Sequence, residues 1–238
     1  FGVLMLAFSP YSVYFIAPYT EALFLAATLA LFLFAYRHQW LWVAVAGIIM
    51  TGTRNIGVMV VFSIGILALQ AYGWKELLKF GDRGLRVILA IWFIPLIMFL
   101  YMFYMHYHVG DAFSFKNIQL AWGRIFGNPF AYWLEGFETG GRKIYLSIMI
   151  VVGWALNIYL IKQKRYAEAL FMFICTFVPI TTSTNTVPRY MFGLYPTSLA
   201  IVLIARNRPN LRPIMLAMSA ILSCYFVIAW VNAKFFTV

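Results

Sequence analysis

The apolar runs of this chain are continuous and do not alternate with polar residues. That pattern restricts the fold more than any other feature. A half-buried strand reads as alternation, whereas a helix surrounded by lipid or packed neighbours reads as an unbroken run. Backbone amides and carbonyls find no water inside a bilayer, so only helices or a closed barrel can cross one. The runs are also too extensive for a buried core alone. Of the 238 residues, 64% are hydrophobic and 11% charged, against about 25% charged in an average soluble domain. The sequence therefore predicts an all-α polytopic membrane protein with about eight or nine membrane helices, its outer surface facing lipid.

Spans are expected at about 3–17, 21–36, 41–53, 55–72, 87–105, 144–161, 167–181, 190–205 and 214–231. Two of them, 41–53 and 167–181, are short against the roughly 20 residues a crossing helix needs. The first reads as a half-helix or as a helix along the interface, with Gly52 to Asn55 marking a break before the next span. The whole chain, 1–238, reads as a single transmembrane domain. Phe1 to Ala7 already reads as membrane interior, so the domain is expected to be incomplete at its N-terminus. Cys175 and Cys224 lie in apolar runs and read as small buried hydrophobes rather than a disulfide framework.

The net charge is +11. The basic residues gather at the ends of the runs, which assigns the excess to membrane orientation and anionic lipid rather than to nucleic acid. Arg37; Lys75, Lys79, Arg83 and Arg86; Lys162, Lys164 and Arg165; and Arg206, Arg208 and Arg212 are eleven of the eighteen Lys and Arg residues. They fall on loops that alternate along the chain, so these loops are placed in the cytoplasm. The opposite side then holds Tyr19 to Glu21, the long 106–143 segment and Thr181 to Arg189. The Thr51 to Asn55 break joins them if 41–53 and 55–72 both cross. The 106–143 segment, with the aromatic-rich piece Asn128 to Trp133, is expected to carry one or two short interfacial helices on the outer or luminal face.

Acids are scarce, and Glu21 stands between two long apolar runs. A charge in such a setting is costly unless it faces a cavity or a partner. It reads as a catalytic base or a sugar-hydroxyl acceptor, or as an acid that opens a helix after Pro18 and favours its dipole. Arg54 and Asn55 sit at a helix break flanked by Gly52 and Gly57. The planar guanidinium suits a phosphate and the glycines allow close approach, or the arginine satisfies carbonyls at the break. Arg189 ends the polar loop that starts at Thr181, follows Pro188 and opens a helix beside Tyr190, which suits an anion. Otherwise it is an interfacial, snorkelling arginine. Asp111 is the first acid after a span on the expected outer face, and its alternative is a solvated turn acid. His106, His108 and Asp111 lack a recognised ligand spacing, so no metal is expected. Walker, Gly-x-Gly-x-x-Gly and Gly-x-Ser-x-Gly patterns are all missing from the sequence, which leaves ATP-driven transport and serine hydrolysis unsupported.

Ser9-Pro10 with Tyr19-Thr20-Glu21-Ala22-Leu23-Phe24, and Met50-Thr51-Gly52-Thr53-Arg54-Asn55-Ile56-Gly57, resemble two sequence blocks of the PIG-V type of GPI mannosyltransferase. Asn55 directly follows Arg54, where the family usually has one residue between them. Weaker echoes are Gly110-Asp111-Ala112-Phe113 with Gln119 and Trp122, and Pro188-Arg189-Tyr190. The resemblance implies the glycosyltransferase C fold, with an active site on the outer or luminal face. It implies a polyprenyl-phosphate sugar donor, often carrying mannose, and a lipid or glycan acceptor. The family's proposed base is an aspartate in the first outer loop. No position here matches it, so it is expected upstream of Phe1, with Glu21 and Asp111 as weaker candidates. Arg189 and Arg54 are then the donor-phosphate ligands, and Tyr19, Glu21, Asn55, Gln119, Trp122 and Tyr190 the substrate pocket. An inverting transfer needs a base for the acceptor hydroxyl and cations for the leaving phosphate. Arginines can supply the cations, so no metal or other cofactor is expected. On this reading Glu21 supports the pocket wall, with Arg54 and Arg189 as its cationic counterparts.

Two other classes fit the same composition. A transporter or flippase for a lipid-linked or anionic substrate also uses broken helices and intramembrane charge, and a non-catalytic membrane subunit uses its charges for assembly. The expected location is an integral, multi-pass position in the plasma membrane of a prokaryote or the endoplasmic reticulum of a eukaryote.

Overall fold

The computed structural model describes residues 1–79, 81–206 and 208–232, with the side chain of Trp122 also outside the description. The elements are helical: α1 (Gly2–Ala7), α2 (Val13–Ile16), α3 (Glu21–Tyr36), α4 (Trp40–Thr53), a 3-10 turn (Asn55–Met59), α5 (Val60–Leu78), α6 (Asp82–Val109) and α7 (Ser114–Asn117). After a second 3-10 turn (Ile118–Trp122) come α8 (Pro129–Thr139), α9 (Arg142–Lys162), α10 (Tyr166–Ile180), α11 (Val187–Phe192), α12 (Tyr195–Arg206) and α13 (Leu211–Val231). Among the described residues no strand occurs. Four segments are long and apolar enough to cross a membrane: Asn55–Leu78, Asp82–Val109, Arg142–Lys162 and Leu211–Val231.

The other expected spans are shorter than a crossing needs, and local chemistry explains the main departures. The run at 3–17 is not one helix. Pro10 has no amide hydrogen and disfavours helical backbone at Ser9, so α1 ends at Ala7. Pro18 likewise holds Ala17 extended (φ −66°, ψ 159°) and ends α2 at Ile16. The span expected at 190–205 is split at Gly193–Leu194, and Pro196 sits in the first turn of α12, where its missing amide hydrogen costs nothing. Conversely, 87–105 extends to the 28-residue α6, because Asp82 to Arg86 and His106 to Val109 continue the helix as polar ends. Cys175 is buried as expected, but Cys224 is exposed on α13, on a surface that also shows Ile221, Tyr225 and Ile228.

The chain forms two compact units, Phe1–Ala22 with Phe126–Val238 and Leu23–Ile125. In the second unit α6 packs along α4 and α5. Val43, Gly47 and Met50 share one face of α4, and Val87, Ala90 and Ile94 share one face of α6. Gly47 permits this approach, because a β-carbon there would collide with the side chain of Ile94. The opposite face of α6 shows Trp92, Phe99, Phe103 and Tyr107 to the surroundings. In the first unit α9 contacts α8, α10, α11 and α12, while α13 contacts α1 and α2. Gly153 brings α9 against Met191 of α11.

Several polar groups of this first unit lie inside. Ser12 and Ser223 share a hydrogen bond of 2.7 Å, the Ser219 hydroxyl donates to the Phe8 carbonyl at 2.7 Å, and the Asn157 amide donates to the Ala169 carbonyl at 2.6 Å. Apolar surface outside and bonded polar groups inside is the arrangement a lipid solvent favours. The 106–143 segment carries α7, the second 3-10 turn and α8. Helix α8 is fastened to α9 in both directions: the Trp133 indole donates to the Ser147 carbonyl at 3.2 Å, and the Ser147 hydroxyl donates to the Trp133 carbonyl at 2.7 Å.

Candidate functional site

The break that splits α1 from α2 leaves a polar and aromatic segment, Ser9 to Glu21, which the first unit clamps from several sides. The Ser9 hydroxyl donates to the Phe192 carbonyl at the end of α11, at 3.1 Å. Tyr11 stacks on Phe192 and Phe226, with ring centroids 6.0 and 4.5 Å away, and its hydroxyl lies 3.0 Å from that of Tyr145. These contacts bring the N-terminal segment to α11, where the polar loop after α10 turns into helix behind Pro188.

Glu21 and Arg189 meet there. The first residue of α3 is buried, at 3% exposure. Its Oε1 accepts from Arg189 Nε at 2.7 Å and from Nη2 at 2.5 Å. The guanidinium carbon lies 3.9 Å from the ring centroid of Tyr14 and 4.3 Å from that of Tyr19. Both distances are within cation–π range. Tyr14 is fully buried and Tyr19 is half-exposed, and the two rings meet edge to face at 5.3 Å. Burial pushes the Tyr14 hydroxyl above the usual tyrosine range, and the nearby Arg189 charge offsets part of that push. Tyr14 is therefore a neutral phenol at physiological pH. Both charges are accounted for within one cluster: a carboxylate, an arginine and two π faces.

Pro18 contributes to this geometry by turning the chain between Tyr14 and Glu21, so that Tyr14, Tyr19 and Glu21 all reach one guanidinium. Tyr14 was not among the expected pocket residues. Its signal in the sequence was an aromatic pair flanking a proline beside a lone acid. Tyr190 follows Arg189 in α11 and is partly buried.

Arg54 belongs to the second unit. It caps α4 in extended conformation (φ −148°, ψ 126°) and precedes the 3-10 turn. Its guanidinium carbon lies 5.7 Å from the Phe24 ring centroid. Gly57 closes the break by donating to the Arg54 carbonyl at 2.8 Å. Any β-carbon on Gly57 would fall 2.8 Å from the Met50 carbonyl oxygen, so the tight return of chain onto α4 demands glycine. Asn55 is exposed at the same turn.

Asp111 organises its own loop. Its two oxygens accept from the Phe113 amide at 2.8 Å and from the Asn117 side chain at 2.7 Å. Gln119 accepts from Arg124 at 2.9 Å. The Trp122 side chain lies outside the described residues. Among the described residues no group of three or more His, Cys, Asp and Glu side chains is arranged to hold a metal ion. Comparison with known proteins adds no relative: no family model, no curated protein and no solved structure matches the chain.

Proposed function

We propose that this protein is a membrane glycosyltransferase that moves a hexose, with mannose as the favoured sugar, from a polyprenyl-phosphate donor to a lipid or glycan acceptor on the outer or luminal face. It crosses the membrane several times in this reading. The observation that carries it is the Glu21–Arg189 pair, which joins the Tyr-Thr-Glu block to the Pro-Arg-Tyr block across 168 residues of sequence. The first is one of the two blocks on which the family resemblance rests, and the second is one of its weaker echoes.

Arg189 is the donor-phosphate ligand. A guanidinium presents donors in a rigid plane that suits phosphate oxygens. Glu21 already accepts two of those donors through Oε1, so its role is to aim the arginine rather than to take a proton from the acceptor. The two tyrosine rings hold the cation, whose side chain stays 17% exposed and so within reach of a phosphate. Stabilising charge on the leaving phosphate is then preorganised, the feature that makes such contacts effective in catalysis.

The test is transfer of label from polyprenyl-phosphate mannose in membranes that contain the protein. Wild type should transfer above membranes lacking it. Arg189→Ala should lower the rate by about 10²–10³-fold, the usual loss for one charge-stabilising donor, with Arg189→Lys partly active. Absence of transfer by wild type, or wild-type rates in both Arg189→Ala and Arg54→Ala, would overturn the reading.

A second reading is a transporter or flippase for a lipid-linked or anionic substrate. The helix breaks beside charged residues, after α4 at Arg54 and after α11 at Gly193, favour it, because transporters place substrate sites at discontinuous helices. Translocation of an intact lipid-linked sugar across proteoliposomes, without sugar transfer, is the outcome that would select it.

A further inference from the structure

The second unit holds a cavity of about 550 Å³ that the Glu21–Arg189 site does not use. It lies where the turn after α3, the start of α4 and the start of α6 come together, and His38, Trp40, Trp42, Arg86, Leu89 and Phe93 are among its walls. Its volume is in the range of small-molecule sites. The walls are graded. On α6 they follow the spacing 86, 89, 90, 93, a single stripe that starts at a cation and turns wholly apolar within about 10 Å of helix. On α4 they are led by two tryptophans, the residue type that favours the boundary between headgroups and acyl chains.

The polar end of the cavity holds Arg86 and His38. Near them in sequence, though not in its walls, Arg37 precedes α4, Lys75 and Lys79 end α5, and Arg83 begins α6, against the acids Glu76 and Asp82. Tyr72 ties α5 to the start of α4, since the Trp40 indole donates to its hydroxyl at 3.1 Å and the His38 ring lies 5.3 Å from its own. Arg86 binds Asp82, with Nη2 at 2.7 Å, but both side chains are exposed. Exposed pairs of this kind are weak, so an incoming anion can exchange with Asp82.

We propose that this cavity is a binding site for an anionic glycerophospholipid. The lipid phosphate takes Arg86 at the mouth, beside His38. An acyl chain lies along Leu89, Ala90 and Phe93, with Trp42 at the level of the glycerol. Charge complementarity at the mouth and the change from basic to apolar along one stripe of a helix long enough to cross a bilayer select this ligand. A free anion would leave the apolar half of the cavity unfilled, and a neutral lipid would leave the basic half unmatched.

The experiment uses the whole protein in phosphatidylcholine vesicles that contain either phosphatidylglycerol or phosphatidylcholine brominated in the acyl chain. Quenching of Trp42 is taken as the difference between each protein and its Trp42→Phe counterpart. The expected result is half-maximal quenching at a mole fraction of the brominated anionic lipid about fivefold lower than that of the zwitterionic one, the factor one basic residue near an anionic surface supplies. Arg86→Ala should remove most of that preference. Asp82→Asn, which frees Arg86, should increase it. Equal quenching by the two lipids would mean ordinary surrounding lipid and would overturn the site. An unchanged preference in Arg86→Ala would do the same. A parallel fall in both variants would show that the ion pair only holds the helix end, and would also overturn it.

Discussion

Arg189 is 17% exposed at its side chain and Glu21 3%, so removing either partner strands a charge away from water. Loss of one member of a buried pair typically costs about 3–5 kcal/mol. Arg189→Met and Glu21→Gln should each lower the thermal midpoint in detergent by several degrees. The double variant should be more stable than the sum of the two losses predicts by at least about 1 kcal/mol. Strict additivity would mean that the pair contributes no coupling. The same residues explain how far a local reading reaches. Glu21 announces itself as a lone acid between apolar runs, and Arg189 as a cation behind a proline. That Arg189 is the residue whose guanidinium binds Glu21 Oε1, while Arg54 lies over Phe24, depends on where α11 and the 3-10 turn are packed.

At the scale of elements, the prolines and glycines set where helices stop. Pro10 and Pro18 divide a run that is apolar enough to be one span, and the resulting turns carry Ser9, Ser12 and Tyr14 into the interior of the first unit. Gly73 does the same within α5, where its non-helical backbone (φ 73°, ψ 156°) makes Val60–Leu78 two helical pieces that meet at a kink. Only glycine adopts that region without a steric penalty. Gly73→Ala should therefore destabilise the protein by about 1–3 kcal/mol even though a β-carbon at that site has open space around it. The check is chemical denaturation in detergent. A variant as stable as wild type would show that the kink is not maintained. Apolar periodicity gives the helices but not such interruptions, because a kink depends on one residue's φ rather than on the composition of the run.

At the scale of the molecule, the alternation of basic loops predicts sidedness. Helix α9 has Glu138 before it and Lys162 at its end, both exposed. In a Cys224→Ser background, Glu138→Cys should react with a membrane-impermeant maleimide from outside intact cells. Lys162→Cys should react only after permeabilisation. Equal reactivity of the two from outside would exclude a crossing by α9. The distribution of surfaces agrees with a membrane setting in each unit, since large apolar side chains such as Trp92 and Phe103 on α6, and Ile221 on α13, lie exposed.

Composition and the continuous apolar runs are enough to name the solvent this protein is built for and the secondary structure that solvent permits. A backbone that finds no water must bond to itself, and continuous apolar runs leave helices as the means. The sequence also singled out the charges worth following, because a charge among apolar residues is costly and so rarely incidental. The partners of those charges come from packing. The contact between Glu21 and Arg189, the two tyrosine faces around the guanidinium and the division into two units depend on packing between segments far apart in the chain. No local propensity encodes those distances. The same holds for the basic-to-apolar cavity at the start of α6, since its walls come from the turn after α3 and from α4 and α6, which approach closely where Gly47 meets Ile94.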